Sequence, residues 1–425
     1  MGHNTCSEET GFLLTRQPVF DRSLEPWGSA MRFALPGNEG HLFCDETSAN
    51  MLLEAYLPQR EDSTSRILIG FPEEALLQDI PRLLWPEGVV LEVDESAGFR
   101  PGIVQAVAEL KKVGFGIAIS DFRNRPGCGG LNALAEIMGI DCADGAESDH
   151  GNLEERIQAA HGLGAKALVR GLTSWTPMLQ ARMANADFFQ GFFFTSMHLK
   201  PSSRLITATQ VSRLRLLECL SQPDADFKAL ARVVEADAAL TYRLLLFLNS
   251  ASFGLARKVT SIEQAIVLAG WRPLKKWLEI ALLTDLSPSP RHQELCHYAA
   301  QRSIFLRCIA KTAGLEQLAP SLALLGLLSF IEPILEMPPE QALVNIPVSE
   351  AIRMALCGQK SPLSPWLGLA YAMENAQWEL AARVGASVKL ALSDLSKCYL
   401  ESLTEADALF RLLPAPKTKA SNPDA

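Results

Sequence analysis

Hydrolysis assisted by divalent metal needs several carboxylates converging on one open face, because hard cations take oxygen ligands from different directions. One region of the sequence has the residue types for it. Glu92-Val-Asp-Glu95 ends an apolar run, Asp121 ends the next, and Asp141 lies beyond that. In a closed parallel barrel these carboxylates fall on the rim at the C-terminal strand ends, where barrel active sites lie. The competing reading is that acidic residues at strand ends are solvated caps and helix starts. Residue types alone leave that plainer reading the stronger.

Other chemistries find less support. No HExxH, GxxxxGK[ST], GxSxG or GxGxxG occurs. The nine cysteines form no CxxC pair, so zinc and a disulfide framework give way to reduced thiols. His292 and His297 share one helical pattern, and with no His-Asp dipeptide to join they read as surface or interface residues. The run Phe188-Phe-Gln-Gly-Phe-Phe-Phe194 has no interleaved Lys or Arg. It therefore reads as a buried strand and its loop, not as a stacking platform for nucleic acid. Trp271, Arg272, Lys275 and Lys276, closed by Trp277, combine the residue types that anchor protein contacts. The alternative is an amphipathic helix with snorkelling basic stems. Of the two tryptophans, Trp277, followed by Leu278 and Ile280, is expected to be the buried one.

The elements that must hold these residues change character along the chain. Short β-branched runs at Arg66–Gly70, Val89–Val93, Phe115–Ile119, Ala167–Arg170 and Phe188–Phe194 alternate with helical patterns at 48–57, 73–80, 101–112, 152–162 and 175–183. Such alternation predicts parallel βαβ units, in a barrel or an open sheet. After a seam at Lys200-Pro201-Ser202-Ser203 nearly everything reads as helix: Ala208–Ser221, Asp226–Glu235, Ala239–Ser250, Ser261–Ala269, Arg272–Leu283, Arg291–Lys311, Ser349–Cys357 and Gln377–Arg383. Asp226 and Ser261 are expected N-caps. Charge splits at the same seam. Residues 1–200 hold 16 basic and 27 acidic side chains, whereas residues 201–425 hold 23 and 21. The chain of 425 residues carries a formal charge of -9, which argues against coating nucleic acid or anionic lipid. The most apolar stretch, Leu322–Leu328, is far too short to span a bilayer. A soluble cytoplasmic protein of two domains is expected.

Both halves resemble a known family. Leu13-Leu-Thr-Arg-Gln-Pro-Val-Phe-Asp21 is similar to the opening strand of EAL domains in two-domain EAL–HDOD bacterial signalling proteins, and the likeness continues to the Phe-Phe-Gln-Gly-Phe-Phe run. From Leu217 to about Tyr399 the chain resembles an HDOD domain, most tellingly at Asp237–Gly254 and Lys258–Ile266. The resemblance implies a (β/α) barrel over 11–200, whose active relatives hydrolyse cyclic di-GMP with two metal ions, and an all-helical domain over 202–405. Residues 1–10 are expected to be flexible and 414–425 disordered.

Carried over residue by residue, the family pattern is eroded. The signature tripeptide stands as Ser29-Ala30-Met31, so the ligand Glu is Ser29, and the expected Asn is Gly70. Glu92 and Glu95 remain. The paired aspartates are Ser120-Asp121, the catalytic Lys is Gly139, and two expected acidic residues are Arg170 and Thr173. Gln190 matches the Gln of the last strand. Two divalent cations about 4 Å apart need several anionic oxygens to offset their repulsion. Hydroxyls, a glycine and an arginine do not supply them. The implied protein has no catalytic residues, metal or cofactor and acts as a regulator or scaffold, meeting other signalling proteins through its helical half. The alternatives are a receptor binding cyclic di-GMP without hydrolysis, using Arg16 and a displaced Arg32, and an active phosphodiesterase.

Overall fold

The computed structural model describes residues 13–34, 49–50, 66–142, 152–195, 207–221, 240, 244, 248, 270–286, 290–344 and 348–411. The expected helices at Asp226–Glu235 and Ser261–Ala269, their N-caps, and the signature around 237–266 lie outside the described residues except at 240, 244 and 248. The same holds for the helix at 48–57 beyond residue 50 and for both chain ends.

Eight strands close into a barrel in chain order: β1 (Leu13–Asp21), β2 (Pro26–Ala34), β3 (Arg66–Gly70), β4 (Val89–Val93), β5 (Gly116–Ile119), β6 (Ile137–Asp141), β7 (Lys166–Arg170) and β8 (Phe188–Gln190). Strands β2 to β8 are parallel, as βαβ alternation predicts, but β1 runs antiparallel to both β2 and β8. The reversal has a local cause. Residues 22–25 are too few for a crossover. Instead the Asp21 carboxylate accepts the amides of Ser23 and Glu25, which fixes a tight turn. The aromatic run is strand only to Gln190. Gly191, at φ 136°, turns the chain, and Phe192 to Phe194 pack inside it.

One residue from each strand fills the barrel's central layer: Val19, Ala30, Leu68, Val90, Ala118, Ile137, Leu168 and Phe188. Around the barrel run α1 (Glu73–Leu77), α2 (Ile103–Val113), α3 (Gly129–Asn132), α4 (Leu153–Gly162) and α5 (Trp175–Met183). Asn152 and Glu155 form a full capping box at the start of α4.

Among the described residues that follow, the elements are helices: α6 (Ala208–Ser221), α7 (Trp271–Thr284), α8 (Pro290–Thr312), α9 (Ala319–Leu328), α10 (Ile331–Leu335), α11 (Pro339–Ala342), α12 (Glu350–Leu356), α13 (Ser364–Glu374), α14 (Trp378–Ser387) and α15 (Leu392–Arg411). Two compact units result, and their division differs from a single seam near 200. One unit takes the chain up to Ser196 together with Gly368–Glu401, and the other takes Met197–Leu367 and the residues from Ser402 onward. The stretch 368–401, expected with the helical half, packs with the barrel because β1 holds it. Thr15 Oγ1 donates to the Glu374 carbonyl at 2.9 Å and lies 3.1 Å from Tyr399 Oη. Among the described residues no helix is long and apolar enough to cross a membrane.

Candidate functional site

Side chains along a strand alternate faces, so residues two positions beyond the central layer form the next inward layer. Toward the C-terminal strand ends these are Gln17, Arg32, Gly70, Glu92, Ser120, Gly139, Arg170 and Gln190. Six of the expected relic-site residues share this one layer. Glu95, Asp121 and Asp141 lie just beyond it. Ser29 does not belong to the layer. It is one residue out of phase with Ala30 and accepts a hydrogen bond from Arg16 Nε at 2.9 Å. The inward position toward the mouth is Arg32. Thr173 is exposed in the loop after β7 and joins nothing in the layer.

Every remaining carboxylate is taken by a guanidinium. Glu92, its side chain 1% exposed, accepts from Arg32 Nη1 at 2.9 Å on one oxygen and faces Arg170 Nη1 at 3.5 Å with the other. Arg170 reaches on to Asp141, donating from Nε and Nη2 at 3.1 and 2.9 Å. Asp121 lies between Arg123 and Arg125, at 2.9 and 2.8 Å. Glu95 is fully enclosed. It accepts from the amides of Arg123 and Arg125 and from Asn132 Nδ2, and Arg125 Nη1 lies 3.4 Å away. Gln190 donates to Gln17 Oε1 at 2.8 Å and faces Arg32 at 3.5 Å.

The electrostatics follow from this packing. Burial alone pulls Arg170 down, but Asp141 and Glu92 more than offset it, and its guanidinium sits above the ordinary value. Burial also pulls Arg32 down, and Arg170 beside it adds to the depression that Glu92 only partly offsets. Burial raises Asp121, yet hydrogen bonds from Arg125 and Arg123 hold its carboxyl below the usual range. Gly139 makes room for this arrangement. A Cβ there would lie 2.8 Å from the Ile119 carbonyl oxygen and 3.4 Å from Arg170 Nε. A lysine does not fit that position while Arg170 crosses it.

Sequence reading missed Arg123, Arg125 and Asn132 as members of the site. Two of them left a signal, since Arg123 and Arg125 follow Asp121 at spacings of two and four. The donor set does not fit a pair of divalent cations: the carboxylates are neutralised from within, and Gly70 and Gly139 offer no side-chain oxygen. Among the described residues no group of three or more His, Cys, Asp or Glu is placed to hold a metal ion.

In the helical unit the histidines expected at a surface or interface are buried, with His292 7% and His297 5% exposed. His297 Nε2 lies 2.6 Å from Asp407 on α15, a partner 110 residues away that local spacing does not reveal. Trp277 is buried as expected, Trp271 is half-buried and Arg272 is exposed. Lys276 is already engaged by Glu405 at 2.8 Å, and Lys275 lies 3.9 Å from Glu279. Of the four interface candidates, Arg272 is exposed and the other three are half-buried.

Glu279 lines a small cavity with Lys276, Arg307 and Glu405. Burial pushes its carboxyl up to about 6, with Lys275, Arg307 and Lys276 partly opposing and Glu405 adding. A carboxyl raised in the folded state contributes stability below its unfolded pKa and loses it as pH rises through the folded value. Glu279→Gln should therefore stabilise the protein by up to about 2 kcal/mol at pH 7.5, with the gain vanishing toward pH 4.5. Urea melts at the two pH values check this, and a variant less stable than wild type at pH 7.5 contradicts it.

The comparisons agree with the two-part reading. The HDOD domain model matches residues 207–335. The chain is 25% identical over 410 residues to the cyclic di-GMP phosphodiesterase CdgJ of Vibrio cholerae, covering 94% of this chain and 93% of that protein. It is also 25% identical over 405 residues to YuxH of Bacillus subtilis, covering 92% and 97%. Among solved structures, the EAL domain of Mycobacterium smegmatis DcpA is 17% identical with a TM-score of 0.35, covering 43% of this chain and 90% of that one. A closed barrel comes first and a helical part with a region matching the HDOD domain follows, the order that the resemblance to EAL–HDOD signalling proteins implies, and the similarity to CdgJ and YuxH runs through both parts.

Proposed function

We propose that this protein is a non-catalytic regulator or scaffold of bacterial signal transduction that works through protein contacts. One observation carries the reading: Glu92, Glu95, Asp121 and Asp141 each face a guanidinium of the same chain. Metal-assisted phosphodiester hydrolysis needs those oxygens for cations and for placing water. CdgJ is named as a phosphodiesterase, so the difference must lie in residues of this chain, and Ser120, Gly139 and Arg170 are where it is expected. The receptor alternative meets the same obstacle. Arg16, Arg32 and Gln190, which would hold a phosphate or a base, are engaged by Ser29, Glu92 and Gln17.

Calorimetric titrations with Mn2+ and with cyclic di-GMP test the reading directly. No saturable heat at tens of micromolar is expected from either ligand. Mn2+ binding accompanied by hydrolysis restores the enzyme. Nucleotide binding that is lost on Arg32→Ala, without hydrolysis, establishes the receptor.

The partner surface in this reading is the start of α7. Gly270, at φ 78°, stands just before the helix, whose first turn presents Trp271 and Arg272. Truncating a central aromatic anchor costs about 2 kcal/mol or more of binding. Trp271→Ala should lose captured partners with an unchanged thermal melt. A lowered melt with partners retained makes Trp271 a packing residue and ends this assignment.

A further inference from the structure

The barrel unit includes a segment that its own strands and helices do not require. Residues 368–401 follow the helical half in sequence yet pack with the barrel. Their anchor is Thr15, and its position on β1 says where the segment sits. Thr15 lies two residues from Gln17 and four from Val19, so all three share the inward face. Across the hairpin its direct partner is Arg32, and opposed residues of an antiparallel pair present their side chains to the same side. Arg32 in turn holds Glu92. The carbonyl of Glu374 and the hydroxyl of Tyr399, both bonded to Thr15, therefore meet the barrel beside Arg32, on the open side of the mouth layer. Thr15 is fully buried, Tyr399 is 1% exposed and Glu374 3%. In the mouth layer beneath, Arg32 is 8%, Arg170 9% and Gln190 1% exposed, and Gln17 is half-buried.

We infer that residues 368–401 are a built-in cover on the β1–β2 side of the barrel mouth. The segment stands in the approach to Arg32 and Glu92, so anything entering from that side must displace it. The attachment is specific: the Thr15 hydroxyl takes part in both hydrogen bonds, and Trp378, Ala381 and Leu395 of the segment are buried. This inference does not rest on the loss of catalysis and stands or falls separately from it.

Thr15→Val keeps the shape of the side chain and removes both bonds. In the full chain, hydrogen exchange read by mass spectrometry should show residues 368–401 and the β2 amides near Arg32 opening together, roughly tenfold faster than in wild type. The matched region 207–335 should be unchanged, and Thr15→Ser should behave as wild type. Gln17→Cys provides a direct probe of the mouth. Its alkylation, followed on the peptide carrying residue 17, should be slow when Thr15 is intact and about tenfold faster when Thr15→Val is combined with it. Should Thr15→Val fail to fold, Tyr399→Phe removes one bond and should give the same pattern at smaller size. Rapid alkylation of the cysteine at position 17 with Thr15 intact overturns the inference. So does exchange in 368–401 that ignores both the Thr15 and Tyr399 changes.

Discussion

Glu92→Gln should lower the stability of the barrel unit by about 3–5 kcal/mol in metal-free buffer, because it removes the anion between two buried cations. Arg32 and Arg170 side chains are each 10% exposed and meet on Glu92. Without that carboxylate, Arg32 keeps the 3.5 Å contact with Gln190 and the pull of Asp141, and the two guanidiniums repel. For a unit of this size each kcal/mol moves the Tm by about 2–4 °C, so a fall of roughly 6–20 °C is expected. The sign separates two histories of the site. In a cluster of carboxylates built for metal and measured without it, deleting one relieves repulsion and raises stability. In an arginine-neutralised cluster the same change strands charge. A melt of Glu92→Gln at or above wild type would defeat the charge-lattice account and return the site to metal chemistry. A combined Arg32→Met, Glu92→Leu, Arg170→Met variant should recover most of the loss, since replacing a whole buried ion cluster by apolar groups is often neutral or stabilising.

The same lattice shows what a sequence can and cannot disclose. Strands β3 and β4 are legible because Arg66-Ile-Leu-Ile-Gly70 and Val89-Val-Leu-Glu-Val93 are β-branched runs of strand length. Strand β6 is not, since Gly139 interrupts it, and that glycine exists to let the backbone of β5 and the Arg170 side chain pass. Strand β2, Pro-Trp-Gly-Ser-Ala-Met-Arg-Phe-Ala, has only Trp27 and Phe33 as β-formers and is held by its hairpin with β1. Helix α9 is visible only as an apolar stretch, because a helix buried all round has no polar face to mark a 3.6-residue period. The site divides in the same way. That Glu92, Asp121 and Asp141 lie near one rim follows from strand order. That Arg32 joins Glu92, and that Ser29 turns away, depends on the phase of β2, which residue types do not fix. Thr15 is a further case: a lone threonine in a strand says nothing of a partner 359 residues away.

Gly326→Ala should destabilise the helical unit by about 2–3 kcal/mol, toward the upper end of what overpacking costs. Gly326 lies in α9 where that helix crosses α8, and among the described helices of the unit these two are the most closely associated. A methyl group at Gly326 would stand 2.6 Å from the Ser303 amide nitrogen, 2.7 Å from Ser303 Cα and 2.8 Å from the Arg302 carbonyl carbon. All three are backbone atoms of α8, so no rotamer change relieves the clash. The helices must separate, and Leu322, Leu325 and Leu328 lose part of their burial as they do. Intrinsic helix propensity works the other way, favouring Ala over Gly by about 1 kcal/mol. An internal control isolates that contribution. Gly368, exposed in α13, has nothing within 4 Å of an added Cβ, so Gly368→Ala should stabilise its unit by roughly 0.5–1 kcal/mol. The same substitution in two helices is thus expected to give opposite signs, read as thermal or urea midpoints of the two single variants. The consequence reaches the partner surface as well. Helix α8 carries His297 and Arg307, which tie α15 down through Asp407 and Glu405, and Glu405 also holds Lys276 of α7. Displacing α8 should therefore loosen α7 and weaken partner capture along with stability. If Gly326→Ala melts with or above wild type, the close approach of α8 and α9 is not what holds this unit together.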